Sequence, residues 1–118
     1  LERRDVKSLK GVFMIKMISI FSLPEGTDPE GFWKYWNEVH VPDIKKLNGL
    51  KKYAIHRVKK KLAGDEKFWG LVETWWNSEE DMRKAFGTPE GQSAAGDFWP
   101  RVTGRSSVLV EENVIIAG

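Results

Sequence analysis

Phe68-Trp69-Gly70-Leu71-Val72-Glu73-Thr74-Trp75-Trp76, followed at once by Asn77-Ser78-Glu79-Glu80-Asp81, is the stretch that decides the fold. The first nine residues are rich in aromatic and branched side chains, which suit a pleated strand. The next five read as a helix cap with acids in the first turn, opening a helix through Met82, Ala85 and Phe86. Working backward, Ala63-Gly64-Asp65 reads as a hairpin turn, and Leu50 to Leu62 as the antiparallel strand before it. In that strand Tyr53, Ile55 and Arg57 share one face, and Ala54, His56 and Val58 the other. Asn48-Gly49 stops a helix that Asp28 caps and Pro29 opens, and Leu23 to Thr27 is the turn before it. A first strand is expected over about Phe13 to Ser22. Forward of Phe86, Thr88-Pro89-Glu90 restarts a helix for another short turn or two, and the last strand runs from about Ser106 to Val114.

The order is β-α-β-β-α-β, an α+β chain with the ferredoxin-like arrangement of four antiparallel strands and two helices on one face. Two helices cover one face of such a sheet. Yet Ile18, Ile20, Phe21, Val72, Trp75, Trp76, Val108 and Val110 make both strand parities apolar. The open face calls for a cover, and a second copy of the chain supplies one, so a homodimer through that face is expected.

Composition bounds the class. The 118 residues suffice for one core, with 41% hydrophobic and 31% charged content, as in an ordinary globular domain. Leu1 to Lys10 is charged and aperiodic. Residues 1–12 therefore read as a flexible leader and 13–115 as a single domain. A net charge of +2 gives no argument for nucleic acid, and Lys59-Lys60-Lys61 reads as a solvated hairpin tip. No apolar run approaches the ~20 residues of a membrane span, and no secretory signal is recognisable. With no cysteine, disulfides, thiolate metal sites and cysteine nucleophiles are excluded, which fits a cytoplasmic location. The two histidines lie on different elements without metal-ligand spacing, and no glycine-rich phosphate loop or nucleophile elbow is present. Neither a metal nor another cofactor is expected.

The first helix carries the chemistry. In Trp33-Lys34-Tyr35-Trp36-Asn37-Glu38-Val39-His40-Val41-Pro42, a helical pitch puts Trp33, Trp36, His40, Ile44 and Leu47 on one face, with Phe32 and Val39 beside it. One of only two histidines thus points from an indole wall into the interior, where apolar surroundings lower its proton affinity. The six tryptophans read either as core plus subunit interface or as a flat aromatic pocket.

Four motifs in register then resemble the EthD family of the dimeric α+β barrel superfamily. They are Trp36-x-x-x-His40-x-Pro42, Leu47-Asn48-Gly49-Leu50-x-x-Tyr53, Glu73-Thr74-Trp75-Trp76-Asn77-Ser78-Glu79, and Thr88 to Gln92. The resemblance spans roughly Met14 to Val114. It implies a subunit whose sheet pairs with a second sheet to close a barrel. Lactone isomerases, cofactor-free monooxygenases, aromatic polyketide cyclases and haem-handling proteins are among the relatives it implies. Asp43 stands where the family more often has an apolar residue, and Asn48 where proline is commoner.

On this footing the lead expectation is a cofactor-independent isomerase, cyclase, dehydratase or monooxygenase acting on a small hydrophobic cyclic or aromatic metabolite. His40 would be the general acid/base, or else a core histidine bonded to a backbone carbonyl. Asp43 would tune that imidazole or, as preferred, cap a second short helix beyond Pro42. Glu73 would assist as an acid if its face met the helices, or pair with Arg57 or Lys52 if it faced the barrel. Trp33, Tyr35, Trp36, Trp75 and Trp99 would shape the cavity, and His56 would be structural or exposed. The rival expectation is a small-ligand-binding or stress-associated barrel without turnover.

Overall fold

The computed structural model describes residues 14–118, so the expected leader over residues 1–12 lies outside the described residues. Strand β1 (Ile15–Ser22) runs through the middle of the molecule. A helical segment follows: α1 (Pro29–Tyr35), a π turn (Trp36–His40) and α2 (Val41–Lys45). Then come β2 (Leu50–Arg57), β3 (Gly70–Trp76), α3 (Glu79–Phe86), α4 (Pro89–Phe98), a 3-10 turn (Trp99–Arg101) and β4 (Thr103–Glu111). The strands form one antiparallel sheet in the order β2-β3-β1-β4. This is the ferredoxin-like α+β fold.

Register assigns each side chain to a face. Ile15, Met17, Ser19 and Phe21 of β1 pair with Trp76, Thr74, Val72 and Gly70 of β3 and look toward the helices. Lys16, Ile18 and Ile20 pair with Trp75, Glu73 and Leu71 and look the other way. On the covered face one cluster gathers Trp76, Ile44, Leu47, Met82, Ala85 and Ala94. A second gathers Phe21, Phe32, Trp36 and Phe98. Two glycines permit this packing. A Cβ at Gly70 would overlap the Phe21 ring, and one at Gly91 would overlap the backbone carbonyl of Ala85 where α4 crosses α3.

β3 begins at Gly70 where Phe68 was expected, and three other elements differ more from the sequence expectation. β2 ends at Arg57, not Leu62, although Val58 N–H still donates to Trp69 C=O at 2.7 Å. Three consecutive lysines put charge on both parities there and leave no apolar face to hold the strand. α4 has ten residues in place of a turn or two. The Thr88 hydroxyl caps it by accepting from Gly91 N–H, Pro89 fits the first turn, and Ala94 and Phe98 anchor its buried face. β4 begins at Thr103 and ends at Glu111, three residues ahead of the expected Ser106 to Val114. Its start is polar, so the ladder to β1, and not apolar alternation, defines it. Among the described residues no helix is long and apolar enough to cross a membrane.

Candidate active site

Pro42 shapes the site. A proline in a helix cannot donate to the carbonyl four residues back, and its ring crowds that carbonyl. The chain answers by widening one turn, so that Val41 N–H bonds to Trp36 C=O five residues back. The helix therefore continues through the proline without breaking. Each four-residue step in an α-helix drifts by about 40°, and the wider turn takes part of that drift back. Phe32, Trp36, His40, Ile44 and Leu47 consequently share the buried face. Trp33, expected on that face, is only half-buried; of the two expected beside it, Phe32 is buried and Val39 is 48% exposed.

Between this helix, α3, α4 and the covered sheet face lies a cavity of about 360 Å³. Its wall includes Trp36, His40, Tyr53, Phe98, Trp99 and Arg105. That volume suits a small organic ligand. His40 is 8% exposed and stacks on Phe98, ring centroids 4.2 Å apart. Burial lowers its pKa to about 4, against smaller upward pulls from the Asp43 and Asp97 carboxylates. The imidazole is therefore neutral at pH 7 and can accept a proton.

Two polar atoms in the wall have no hydrogen-bond partner among the described residues: Trp36 Nε1 and the Tyr53 hydroxyl. The Trp36 N–H is near enough to favour the Tyr53 phenolate, yet the pair does not reach hydrogen-bond geometry. Burial is the larger influence and pushes the Tyr53 pKa up, so the phenol keeps its proton as a donor. A buried unpaired polar group costs about 1–3 kcal/mol. By contrast, Ser19 Oγ meets Ser107 Oγ at 2.7 Å, and Trp76 Nε1–H donates to Thr74 Oγ1 at 2.9 Å.

The structure brings His40, Trp36 and Trp99 together on the cavity wall. Trp33 stands behind, edge-on to Trp36 with centroids 5.6 Å apart and Arg57 over its ring. Tyr35 also stands behind, its hydroxyl donating to Asp97 Oδ2 at 2.5 Å. Burial and that hydrogen bond raise its pKa to about 12. Asp43 lies in the first turn of α2 with its side chain half exposed, 4.0 Å from Lys46 Nζ. It does not cap α2, because the helix runs on through His40 without a side-chain cap.

Glu73 and Trp75 sit on the opposite face of the sheet, away from His40. Glu73 accepts from Lys16 Nζ at 2.8 Å and lies 2.9 Å from His56 Nε2, in place of the expected Arg57 or Lys52. These contacts outweigh burial and hold its carboxyl below the ordinary carboxylate range. Trp75 lies between Lys16 and Lys52, each within 4.7 Å of its ring, and its Nε1–H donates to Glu112. Sequence reasoning missed Tyr53, Phe98 and Arg105 as wall residues. Tyr53 shares its parity with Ile55, whose face turns out to be the covered one. Among the described residues no cluster of three or more His, Asp or Glu side chains could hold a metal ion.

Comparison with known proteins agrees with this architecture. An uncharacterised 11.0 kDa protein from the thcB-thcC intergenic region of Rhodococcus erythropolis is 25% identical over 104 residues, spanning 86% of this chain and 99% of its own. An EthD-family protein from Bacillus halodurans C-125 superposes with a TM-score of 0.70 at 25% identity, over 85% of this chain and 99% of its own. A dimeric ferredoxin-like protein of unknown function from Thermobifida fusca gives 0.69 at 18% identity, over 85% and 92%. SnoaB, a cofactor-independent oxygenase from Streptomyces nogalater, gives 0.67 at 12% identity over 89% and 98%, a likeness of fold. The EthD domain matches residues 24–97, well over half of the sequence, and the chain belongs to the EthD family.

Proposed function

We propose that the protein is a cofactor-independent enzyme that moves a proton on a small cyclic or aromatic metabolite, with His40 as general base and then acid. The carrying observation is a neutral, buried imidazole on the wall of a cavity of about 360 Å³. In the step envisaged, a His40 ring nitrogen takes a proton from a carbon beside a carbonyl. The C–H electron pair moves into the ring system and onto the carbonyl oxygen. Return of the proton to a second carbon completes an isomerisation. Elimination or ring closure from the same intermediate gives dehydration or cyclisation. The Asp43 and Asp97 carboxylates favour the transient imidazolium at a distance. Phe98, Trp36 and Trp99 exclude water from the reacting carbon.

The reading includes a homodimer. Ile18, Ile20, Leu71, Val108 and Val110 share the uncovered sheet face, and Val108 is 55% exposed. The Thermobifida fusca neighbour, described as dimeric, favours the same arrangement. Sedimentation should give a dimer, and Val108→Asp should give a monomer.

The acid/base role is tested without knowing the substrate. Deuterium uptake beside the carbonyl of 2-indanone, followed by NMR in D2O, should be accelerated by the wild type. His40→Ala should lose that acceleration by about 10²–10⁴-fold while retaining ketone binding. Because only the neutral imidazole accepts, the exchange rate should be flat through neutral pH and fall as pH drops through about 4. Full exchange activity in His40→Ala would remove His40 from the chemistry.

A further inference from the structure

His40 lacks the usual means of aiming a base. An imidazole that takes a proton is ordinarily held by a hydrogen bond from its second nitrogen to a carboxylate or a backbone carbonyl. Among the described residues no such bond reaches the His40 ring, and the Asp43 and Asp97 carboxylates act on it only at a distance. What touches it is the Phe98 ring, inclined at 26° with centroids 4.2 Å apart. The plane of the base is thus set by the plane of Phe98.

Phe98 is in turn held from outside the cavity. Tyr35, the last residue of α1, lies nearly parallel to it, with an interplanar angle of 18° and centroids 6.4 Å apart. The Tyr35 hydroxyl donates to Asp97 Oδ2 at 2.5 Å, and Asp97 precedes Phe98 at the end of α4. Arg101 completes the group. Its Nη2–H donates to Asp97 Oδ1 at 3.0 Å, its Nε–H donates to the Asp97 carbonyl at 2.9 Å, and its guanidinium lies 4.1 Å over the Tyr35 ring. One carboxylate therefore ties the helix that carries the base to the helix that carries the ring against it. Tyr35 also adjoins Trp36, where the widened turn leading to His40 begins. By contrast, Glu79 and Arg83 pair within α3 and fix nothing between elements, whereas Tyr35 and Asp97 are 62 residues apart in sequence. The hydrogen bonds from Tyr35 and Arg101 hold the Asp97 carboxyl below its ordinary range, so the tie stays largely ionised while His40 titrates.

We infer that Tyr35, Asp97 and Arg101 are positioning residues for His40. From the surface they lock Phe98, and through it the imidazole, in the orientation from which the base meets its substrate. This role rests on the proposed acid/base function of His40 and names what aims that base. None of the three is on the cavity wall, so none touches substrate. A displacement of about 1 Å at a reacting group can cost as much as 10²-fold in rate, which gives a remote hydrogen bond its leverage.

Tyr35→Phe removes one hydroxyl and keeps the ring. The His40 ring protons, assigned by NMR through their loss in His40→Gln, should lie upfield of those of half-exposed His56, because Phe98 is stacked on them. In Tyr35→Phe they should move toward the His56 positions, and the His40 midpoint should rise from about 4 toward 6.5. The same variant should slow 2-indanone exchange about tenfold and leave its KM within about twofold of wild type. Arg101→Gln should act in the same direction and less strongly. Tyr35→Phe combined with Asp97→Ala should lose little more exchange than the worse single variant, because both cut one tie. Glu30→Gln, which breaks the Arg57–Glu30 pair on the same helix, should change neither ring protons nor exchange. Unmoved His40 ring protons in Tyr35→Phe, an equal effect from Glu30→Gln, or additive losses in the double variant overturn the inference. The ring-proton readout needs no substrate, which keeps it separate from the acid/base role. Exchange that survives in His40→Ala while Tyr35→Phe moves the ring protons sinks the acid/base role and leaves the tie to His40 standing. Exchange lost in His40→Ala with ring protons unmoved in Tyr35→Phe sinks the positioning role alone.

Discussion

The two histidines occupy opposite faces of one sheet and meet opposite environments. His40, on the covered face, has an aromatic ring against it and carboxylates only at a distance, so burial governs it and it stays neutral. His56, on the uncovered face, is half exposed and shares Glu73 with Lys16. The covered face isolates His40 from charge, whereas the uncovered face ties its polar groups into a charge network. Ring contact without a charge partner distinguishes the surroundings of His40 from those of His56.

The largest expected effect comes from removing what isolates His40. Phe98 is 1% exposed, and Phe98→Ala should cost about 3–5 kcal/mol in denaturant unfolding. It should also raise the His40 pKa by admitting water. A loss under 1 kcal/mol would mean that the ring is not holding this region.

Next comes pH. The folded protein holds His40 neutral down to about 4, while the unfolded chain protonates it near the ordinary 6.5. Between those values the unfolded state binds more protons, so stability falls as pH falls from 6.5 to 4. The loss attributable to this group is about 3 kcal/mol at most. His40→Gln should flatten that segment of the stability curve. An unchanged slope in the variant would show that other groups produce it.

Glu73→Gln tests the other face. Lys16 and Glu73 have side chains only 13% and 19% exposed, so their pairing should contribute more than a surface ion pair, about 1–2 kcal/mol. It should leave ketone exchange intact, and a collapse of activity would tie the two faces together. Smallest of all, Asp43→Asn should change stability by no more than about 0.5 kcal/mol and nudge the His40 pKa further down. A large loss of exchange activity would give Asp43 a direct role.

Much of the fold was legible because its signals are local. Caps at Asp28, Ser78 and Thr88 accept from the backbone N–H three residues on, and the order of elements followed from the apolar strand runs between them. The burial of His40 was legible from helical spacing. What sequence could not supply was which strand parity met the helices, because both parities are apolar in β1 and β3. Sequence alone therefore leaves Glu73 open between the cavity and a pairing on the opposite face, assigns Trp75 to a cavity it does not line, and gives no sign that Tyr53 lines it. Arg105 was hidden because β4 begins in a polar run that its ladder to β1 defines. The widened turn at Pro42 is likewise a compromise between proline sterics and packing, visible only once both are in place.

The most direct measurement is an NMR titration of the His40 ring protons in the folded protein. The expected midpoint is about 4, with the imidazole neutral across the physiological range. A midpoint at or above 6.5 would show a charged or solvated His40 and contradict the isolated base on which the proposed function rests.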